Sequence, residues 1–162
     1  RKIKYELVSI LDIINNTLEK LTPFAQKYSL EFIVKCPSDT SLILTDVDRL
    51  TQVLINIIDN AIKYTGLKGK GKITIHVTEH DETVAISVID TGIGIPKKDI
   101  DKIFQRFYRV DRDHNQDVGG TGIGLSIVKD ILSSLGGNIS VESEPGQGST
   151  FIITVPKNKS HE

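Results

Sequence analysis

The apolar residues at the start of the chain recur at alternating steps of four and three, the spacing of one face of a helix. The series is Leu7, Leu11, Ile14, Leu18, Leu21, Ala25 and Tyr28. Pro23 has no amide hydrogen to donate inside a helix, so we expect it to kink or split this one. The heptad spacing also fits a coiled coil, but paired charges do not flank it, which favours packing on the domain's own sheet.

Helical and alternating patterns continue along the rest of the chain. The expected elements are strands at 31–36 and 41–44, a helix to about Tyr64, strands at 72–78 and 83–89, a short helix at 96–103, a polar mobile loop at 110–118, a helix at 122–135 and strands at 138–143 and 149–155. Asp46 or Asp48 should cap the second helix, and Gly66, Gly69 and Gly71 should break it. Helices on one face of a mixed, mostly antiparallel sheet make an α+β two-layer sandwich.

Composition limits the classes of function. The chain has 162 residues, 20 Lys and Arg against 21 Asp and Glu, and a net charge of −1, a balance that argues against nucleic-acid binding. A single cysteine, Cys36, excludes an internal disulfide. No methionine is present and the chain begins at Arg1, so we expect a piece of a longer protein.

Glycines are concentrated in the second half of the chain. Of 13 glycines, ten lie between Gly92 and Gly148, mainly in clusters at Asp90–Pro96, Gly119–Leu125 and Pro145–Phe151. Such clusters let a ligand approach the backbone, and the second precedes a helix whose N-terminus suits phosphate. The clusters together indicate a nucleotide pocket, although each alone could be turn chemistry. The segment 66–72 imitates a Walker loop but lacks its Ser or Thr and leads from helix to strand, and the dinucleotide pattern also fails.

The second helix carries a polar stripe beside its apolar face. Asn56, Asn60 and Lys63 are spaced to share one side. Two amide oxygens and an ammonium there could serve Mg²⁺ and phosphate, although a solvated helix face is the plainer interpretation.

Five segments resemble the motifs of sensor histidine kinases, in the family's order. Asn56–Thr65 resembles the N box, Asp90–Pro96 the first glycine box, Ile103–Arg109 the F box, Gly120–Leu125 the second glycine box and Gly146–Phe151 the third. The resemblance implies the Bergerat ATP-binding fold, shared with gyrase B, mismatch-repair and heat-shock chaperone ATPases. It covers nearly the whole chain, and it implies a catalytic domain at 6–157 between an upstream remnant at 1–5 and a tail at 158–162.

The resemblance also implies a role for each matching residue. Asp90 would accept a hydrogen bond from the adenine amino group, Asn60 would coordinate Mg²⁺ with Asn56 beside it, and Lys63 and Arg109 would contact phosphate. Ser149 or Thr150 would support the adenine, and the residues 110–119 would form a lid. The remaining nucleotide contacts would come from Tyr64, Gly92, Gly94, Ile95, Tyr108, Gly120, Thr121, Gly122, Ile123, Gly124 and Leu125.

Position 56 separates two mechanisms. Hydrolytic relatives such as gyrase carry Glu there to activate water, and an amide cannot serve as a comparable base. The resemblance therefore implies transfer of the γ-phosphoryl to a histidine on a separate dimerisation domain, and none of His76, His80, His114 and His161 lies in the family's acceptor motif. Phe104 and Phe107 lie in the region that docks on that domain, and we expect at least one to be partly exposed.

Further expectations follow from the resemblance. The histidine would pass its phosphate to a response-regulator aspartate, the isolated domain would be a monomer, and the parent would be a homodimeric, membrane-anchored bacterial receptor with this domain in the cytoplasm. Two other functions stay open: a serine kinase acting on an anti-anti-sigma partner, against which the intact F box speaks, and a module that senses ATP without transfer.

Overall fold

The computed structural model describes residues 1–110 and 124–159. Within these ranges the chain forms seven strands and three helices. In order they are β1 (Glu6–Val8), α1 (Ile10–Lys27), β2 (Leu30–Lys35), β3 (Ile43–Thr45), α2 (Val47–Lys68), β4 (Gly71–Glu79), β5 (Thr83–Asp90), α3 (Gly124–Ser134), β6 (Asn138–Glu144) and β7 (Gly148–Pro156).

The main sheet has five strands in the order β2-β4-β5-β7-β6. Only the β2–β4 pair is parallel among these described strands, and the other three pairs are antiparallel. Alternate residues of the central strands, such as Ile75, Val88 and Phe151, are buried on the face that the helices cover. The predicted α+β sandwich with a mostly antiparallel sheet is confirmed.

A small two-stranded sheet, which the sequence did not predict, holds the start of the chain. Here β1 pairs antiparallel with β3, and Leu7 lies opposite Leu44. Leu7 is therefore a strand residue with an exposed side chain, and its assignment to the first helix is wrong. The helix begins after Ser9, whose hydroxyl accepts a hydrogen bond from the Asp12 amide.

The first helix is continuous through Pro23, so the predicted split does not occur. Proline removes one backbone hydrogen bond from a helix. Buried Leu21 and Ala25 on either side anchor the helix to the core, and this packing outweighs the loss. The same face is buried within the domain, as expected from packing on its own sheet and not from a coiled coil.

The second helix crosses the centre of the covered face and is longer than predicted. Its N-cap is Asp46, which accepts a hydrogen bond from the Arg49 amide at 3.1 Å. The helix passes through Gly66 and ends only at Gly69. A Cβ on Gly66 would lie 2.7 Å from the Tyr28 ring, so this glycine allows close packing against α1 and does not break the helix.

The segment after Pro96 is a chain of turns, and the predicted short helix is wrong. In this described segment, backbone hydrogen bonds join every third residue from Pro96 to Tyr108. The side chains of Asp99 and Ile103 point inward and are buried, which holds this open winding against the core. Most of the predicted loop at 110–118 and the first residues of the predicted third helix lie outside the described ranges.

Candidate functional site

A buried carboxyl lies at the end of a central strand. Asp90 closes β5, lies opposite Ser149 of β7, and is 5% exposed. Its Oδ1 accepts hydrogen bonds from the amides of Gly92 at 2.9 Å and Ser149 at 3.2 Å. Burial raises the pKa of Asp90, and these two amides partly oppose the rise.

The first and third glycine clusters meet beside this carboxyl. The Gly146 amide donates to the Ile93 carbonyl at 2.8 Å, which joins the two loops directly. Gly94 has φ +73°, and a Cβ there would lie 2.4 Å from the Glu144 carbonyl oxygen. At Gly148, with φ +130°, a Cβ would lie 2.0 Å from the carbonyl oxygen of Asp90. Only glycine fits at either position, so the two loops pack closely against each other through their backbones.

Two serines complete the connection between the loops. The Ser143 hydroxyl accepts from the Ile95 amide at 2.8 Å and lies 3.0 Å from the Gly148 carbonyl and 2.8 Å from the Ser149 hydroxyl. Strand alternation places Ser149 on the covered face with Asp90, whereas Thr150 lies on the opposite face, beside Ile89. The structure thus brings Ser149 to the Asp90 site and directs Thr150 away from it.

The polar stripe of α2 lies next to the first glycine loop. Asn56, Asn60 and Lys63 are all half-buried on this helix. The Lys63 ammonium forms an ion pair with Asp59 at 3.0 Å, a partner that the sequence did not single out. The loop packs closely on the helix, because a Cβ on Gly92 would lie 2.9 Å from the Tyr64 carbonyl.

Burial raises the pKa of the Tyr64 hydroxyl on α2, and the positive charge of Arg109 partly opposes this rise. The Tyr108 hydroxyl donates to the Asp99 carboxyl, and the predicted contact of Tyr108 with the nucleotide stays a prediction. Ile95 is buried in the core and presents its amide to Ser143.

The second glycine cluster is described only in part. Gly120, Thr121, Gly122 and Ile123 lie outside the described residues, as do His114 and His161. Gly124 and Leu125 begin α3, where Gly124 is exposed and Leu125 is half-buried.

The amide oxygens on α2 suit a magnesium ion that takes most of its other ligands from water and phosphate. Mg²⁺ prefers oxygen ligands, keeps several waters, and is often bound through one or two protein groups together with phosphates. Asn60 and Asn56 supply amide oxygens one helical turn apart on one face. Within residues 1–110 and 124–159, no cluster of three or more His, Cys, Asp or Glu side chains could hold a metal ion.

The aromatic residues of the F-box segment divide as expected. Phe104 is half-buried and packs edge-to-face on Phe151, with ring centres 6.4 Å apart. Phe107 is 64% exposed. His76 and His80 are exposed, on the open face of the sheet and at its turn.

Sequence reasoning missed three residues that shape this site. They are Ser143, Lys68, whose ammonium donates to the Gly146 carbonyl at 2.7 Å, and Asp59. Asp59 lies four residues before Lys63, a spacing that indicates a helical ion pair. Ser143 and Lys68 act across long sequence separations, so no local signal marked them.

Residues 45–159 match the family model described as "Histidine kinase-, DNA gyrase B-, and HSP90-like ATPase". The chain belongs to this family. The match includes Asp90, both described glycine loops and the polar stripe of α2. This match confirms the predicted ATPase family, and the sensor kinases among the relatives confirm the predicted resemblance to the catalytic domain of sensor histidine kinases.

Curated relatives are sensor kinases several times longer than this chain. The domain is 40% identical over 157 residues to sensor histidine kinase WalK of Bacillus subtilis strain 168, covering 97% of this chain and 25% of the relative. It is 39% identical over 160 residues to sensor protein GacS of Pseudomonas syringae pv. syringae, covering 95% of this chain and 17% of that protein. The chain therefore spans about a quarter or less of these relatives.

Solved histidine kinases share the fold. Full-length ShkA in complex with AMPPNP superposes with a TM-score of 0.85 at 29% identity, covering 100% of this chain and 33% of that chain. The catalytic domain of ThkA gives a TM-score of 0.82 at 29% identity, with 96% and 97% of the two chains covered. ThkA in complex with the response regulator TrrA gives 0.79 at 28% identity, covering 96% of this chain and 42% of that chain.

In the described part of this chain, no helix has the length and apolar character needed to cross a membrane.

Proposed function

We propose that this domain binds ATP with Mg²⁺ and donates the γ-phosphoryl group to a histidine on a separate dimerisation domain. The phosphate would then pass to an aspartate of a response regulator. The observation that carries the proposal is the position of Asp90, a buried carboxyl enclosed by two interlocked glycine loops and next to the polar stripe of α2.

Asp90 would select adenine. Both of its hydrogen bonds to the described residues use Oδ1, so the other carboxyl oxygen is the acceptor we assign to the adenine amino group. Guanine carries a carbonyl oxygen at that position, and two acceptors would face each other. Ser149, which lies on the Asp90 face, would support this network, and Thr150 would not.

The phosphates would lie along α2. Asn60 would hold Mg²⁺, with Asn56 one turn before it, and the ion when bound would neutralise charge on the phosphate oxygens. Lys63 and Arg109 would contact the same oxygens, with Asp59 fixing the Lys63 ammonium. The second glycine cluster, including Gly120, Gly122 and Gly124, would line the phosphate tail.

The site is suited to transfer and not to hydrolysis. Asn56 stands where a general base would be needed, and an amide does not take up a proton near neutral pH. Phosphoryl transfer depends mainly on positioning and charge stabilisation, which the α2 stripe and Arg109 can supply. The nucleophile would be the histidine of the dimerisation domain, and exposed Phe107 would contact that domain.

The parent protein would be a homodimeric, membrane-anchored sensor with this domain at 6–157 inside the cell. The length of the relatives supports a longer parent, and the complex of ThkA with TrrA supports a response-regulator partner. The isolated domain would be a monomer.

Calorimetry with Asn60→Ala tests the magnesium assignment. The variant should lose the Mg²⁺-dependent part of ATP affinity, at least about tenfold, because its amide oxygen is gone. Asn16→Ala, at an exposed position of α1, is the matched control and should bind ATP as the wild type does. Equal Mg²⁺-dependent affinity in Asn60→Ala and the wild type would remove Asn60 from the site.

Labelling with γ-³²P-ATP tests the direction of transfer. The domain alone should not become labelled, and an added histidine-bearing dimerisation fragment should. Transfer to a serine of an added anti-anti-sigma protein would instead favour the serine-kinase function. ATP binding without transfer to any histidine fragment would favour the sensing module.

A further inference from the structure

A buried carboxyl outside the candidate nucleotide site lies under the F-box segment. Asp99 is 3% exposed and accepts a hydrogen bond on Oδ1 from the Tyr108 hydroxyl. Its Oδ2 has no hydrogen-bond partner among the described residues. A buried acidic group is costly unless it is paired, so a role for Asp99 beyond filling space is expected.

The backbone between the two partners is strained at one residue. Phe107 has φ +67°, in the left-handed region that a bulky side chain rarely adopts. Such a conformation persists only where the surroundings impose it. The Phe107 side chain is 64% exposed, so its own packing does not impose it. The next residue, Tyr108, is held on both sides of its Cα, because its amide donates to the Gln105 carbonyl at 3.1 Å and its hydroxyl donates to Asp99.

The residue after Tyr108 is Arg109, which the proposed function places on the phosphates. The positive charge of Arg109 lowers the pKa of the Tyr64 hydroxyl on α2, against the rise that burial causes. The hydrogen bond from Tyr108 to Asp99 raises the pKa of the Tyr108 hydroxyl, with burial and the Asp99 charge adding to the rise. The proton therefore stays on Tyr108, and the contact persists across the neutral range.

We propose that Asp99 is a positioning residue, which holds Tyr108 and thereby directs the neighbouring Arg109 towards the γ-phosphate of ATP. The inference rests on the proposed function, because it assumes that Arg109 contacts phosphate. Asp99 itself is buried and does not touch the nucleotide. Its effect is on the discrimination between ATP and ADP, which differ only in the γ-phosphate.

The test is the ratio of ATP to ADP affinity, measured by calorimetry on the purified chain. Arg109→Ala should lower this ratio by about tenfold, the effect of a lost charged hydrogen bond. Tyr108→Phe and Asp99→Ala should each lower it by about three- to tenfold. Asp99→Asn keeps an acceptor for Tyr108 and should stay within about threefold of the wild type. Asp101→Asn, two residues away and exposed, should not change the ratio.

A double variant separates positioning from independent effects. If Asp99 and Tyr108 act through Arg109, Tyr108→Phe combined with Arg109→Ala should lose no more than Arg109→Ala alone. Losses that multiply would overturn the proposal. An equal fall in ATP and ADP affinity would also overturn it, because such a fall indicates only a structural role. If Tyr108→Phe lowered the ratio and Asp99→Ala did not, Tyr108 would contact the nucleotide directly and the proposal would again be overturned.

The outcome for the proposed function is distinct. If the wild-type chain binds neither nucleotide, the proposed function itself fails. If it binds both but Arg109→Ala leaves the ratio unchanged, nucleotide binding stands and the positioning role of Asp99 is overturned.

Discussion

Replacing Asp90 by asparagine should separate nucleotide affinity from stability. Asparagine keeps the shape of the side chain, and its oxygen can still accept from the amides of Gly92 and Ser149 at 2.9 and 3.2 Å. Its NH₂ group then replaces the oxygen assigned to adenine, so a hydrogen-bond donor faces the adenine amino group, which is also a donor. A hydrogen bond to a charged group contributes about 1.5–3 kcal/mol, so ATP affinity should fall by about tenfold to a hundredfold.

The stability of the folded domain should change in the other direction. Burial raises the pKa of Asp90 above its value in the unfolded chain, so the folded state holds the proton to higher pH. Stability therefore falls as the pH rises from the unfolded pKa of Asp90 through its higher folded pKa. An asparagine side chain does not ionise, so Asp90→Asn should be at least as stable as the wild type at pH 7.

Calorimetry, urea unfolding and a thermal-shift assay check this prediction. Calorimetry with ATP and Mg²⁺ gives the affinity, and urea unfolding without nucleotide gives the stability, with exposed Asp39→Asn as the control. In a thermal-shift assay the wild type should respond to ATP and little to GTP. Unchanged ATP affinity in Asp90→Asn, or equal shifts with ATP and GTP in the wild type, would refute the adenine assignment.

Three further predictions concern the scaffold. The Lys157 ammonium, hydrogen-bonded to Glu79, and the bonds from Ser41 lower the pKa of Glu79 from 4.5 to about 2. This contribution is present above the unfolded pKa and lost as the pH falls towards 2, so thermal unfolding should show Glu79→Gln less stable than the wild type at pH 6 and indistinguishable from it near pH 2. Gly94→Ala should unfold at a lower urea concentration than Gly69→Ala. Both glycines have positive φ, but only at Gly94 would the added Cβ also lie 2.4 Å from a carbonyl oxygen. Equal midpoints for the two variants would contradict this clash. Asp46→Ala should cost at least about 0.5–2 kcal/mol in urea unfolding, because it loses the N-cap bond from Arg49 and the bond from the Lys4 amide, and an unchanged midpoint would show that these bonds contribute nothing.

The type of the long helices and the main-sheet strands followed from local pattern, whereas the element ends and the turns after Pro96 did not. The apolar stripe of α2 predicted a helix, but its extension beyond Tyr64 depends on Gly66 packing against the Tyr28 ring. The continuity of α1 through Pro23 likewise depends on burial of its face in the core. The turns after Pro96 replace a predicted helix, and they bring Asp99 and Tyr108 together across nine residues. In each case packing from distant sequence outweighed a local preference.

By itself the sequence determined the α+β fold, the family and the candidate residues of the site, because strand alternation, helical periodicity and ordered motifs are local properties of a chain. The tertiary structure alone decided how those residues meet. It placed Ser149 and not Thr150 beside Asp90, joined the two glycine loops through Ser143, and directed the Tyr108 hydroxyl to Asp99. These contacts depend on strand register and on side-chain directions across the sheet, which only the packing of the whole domain fixes.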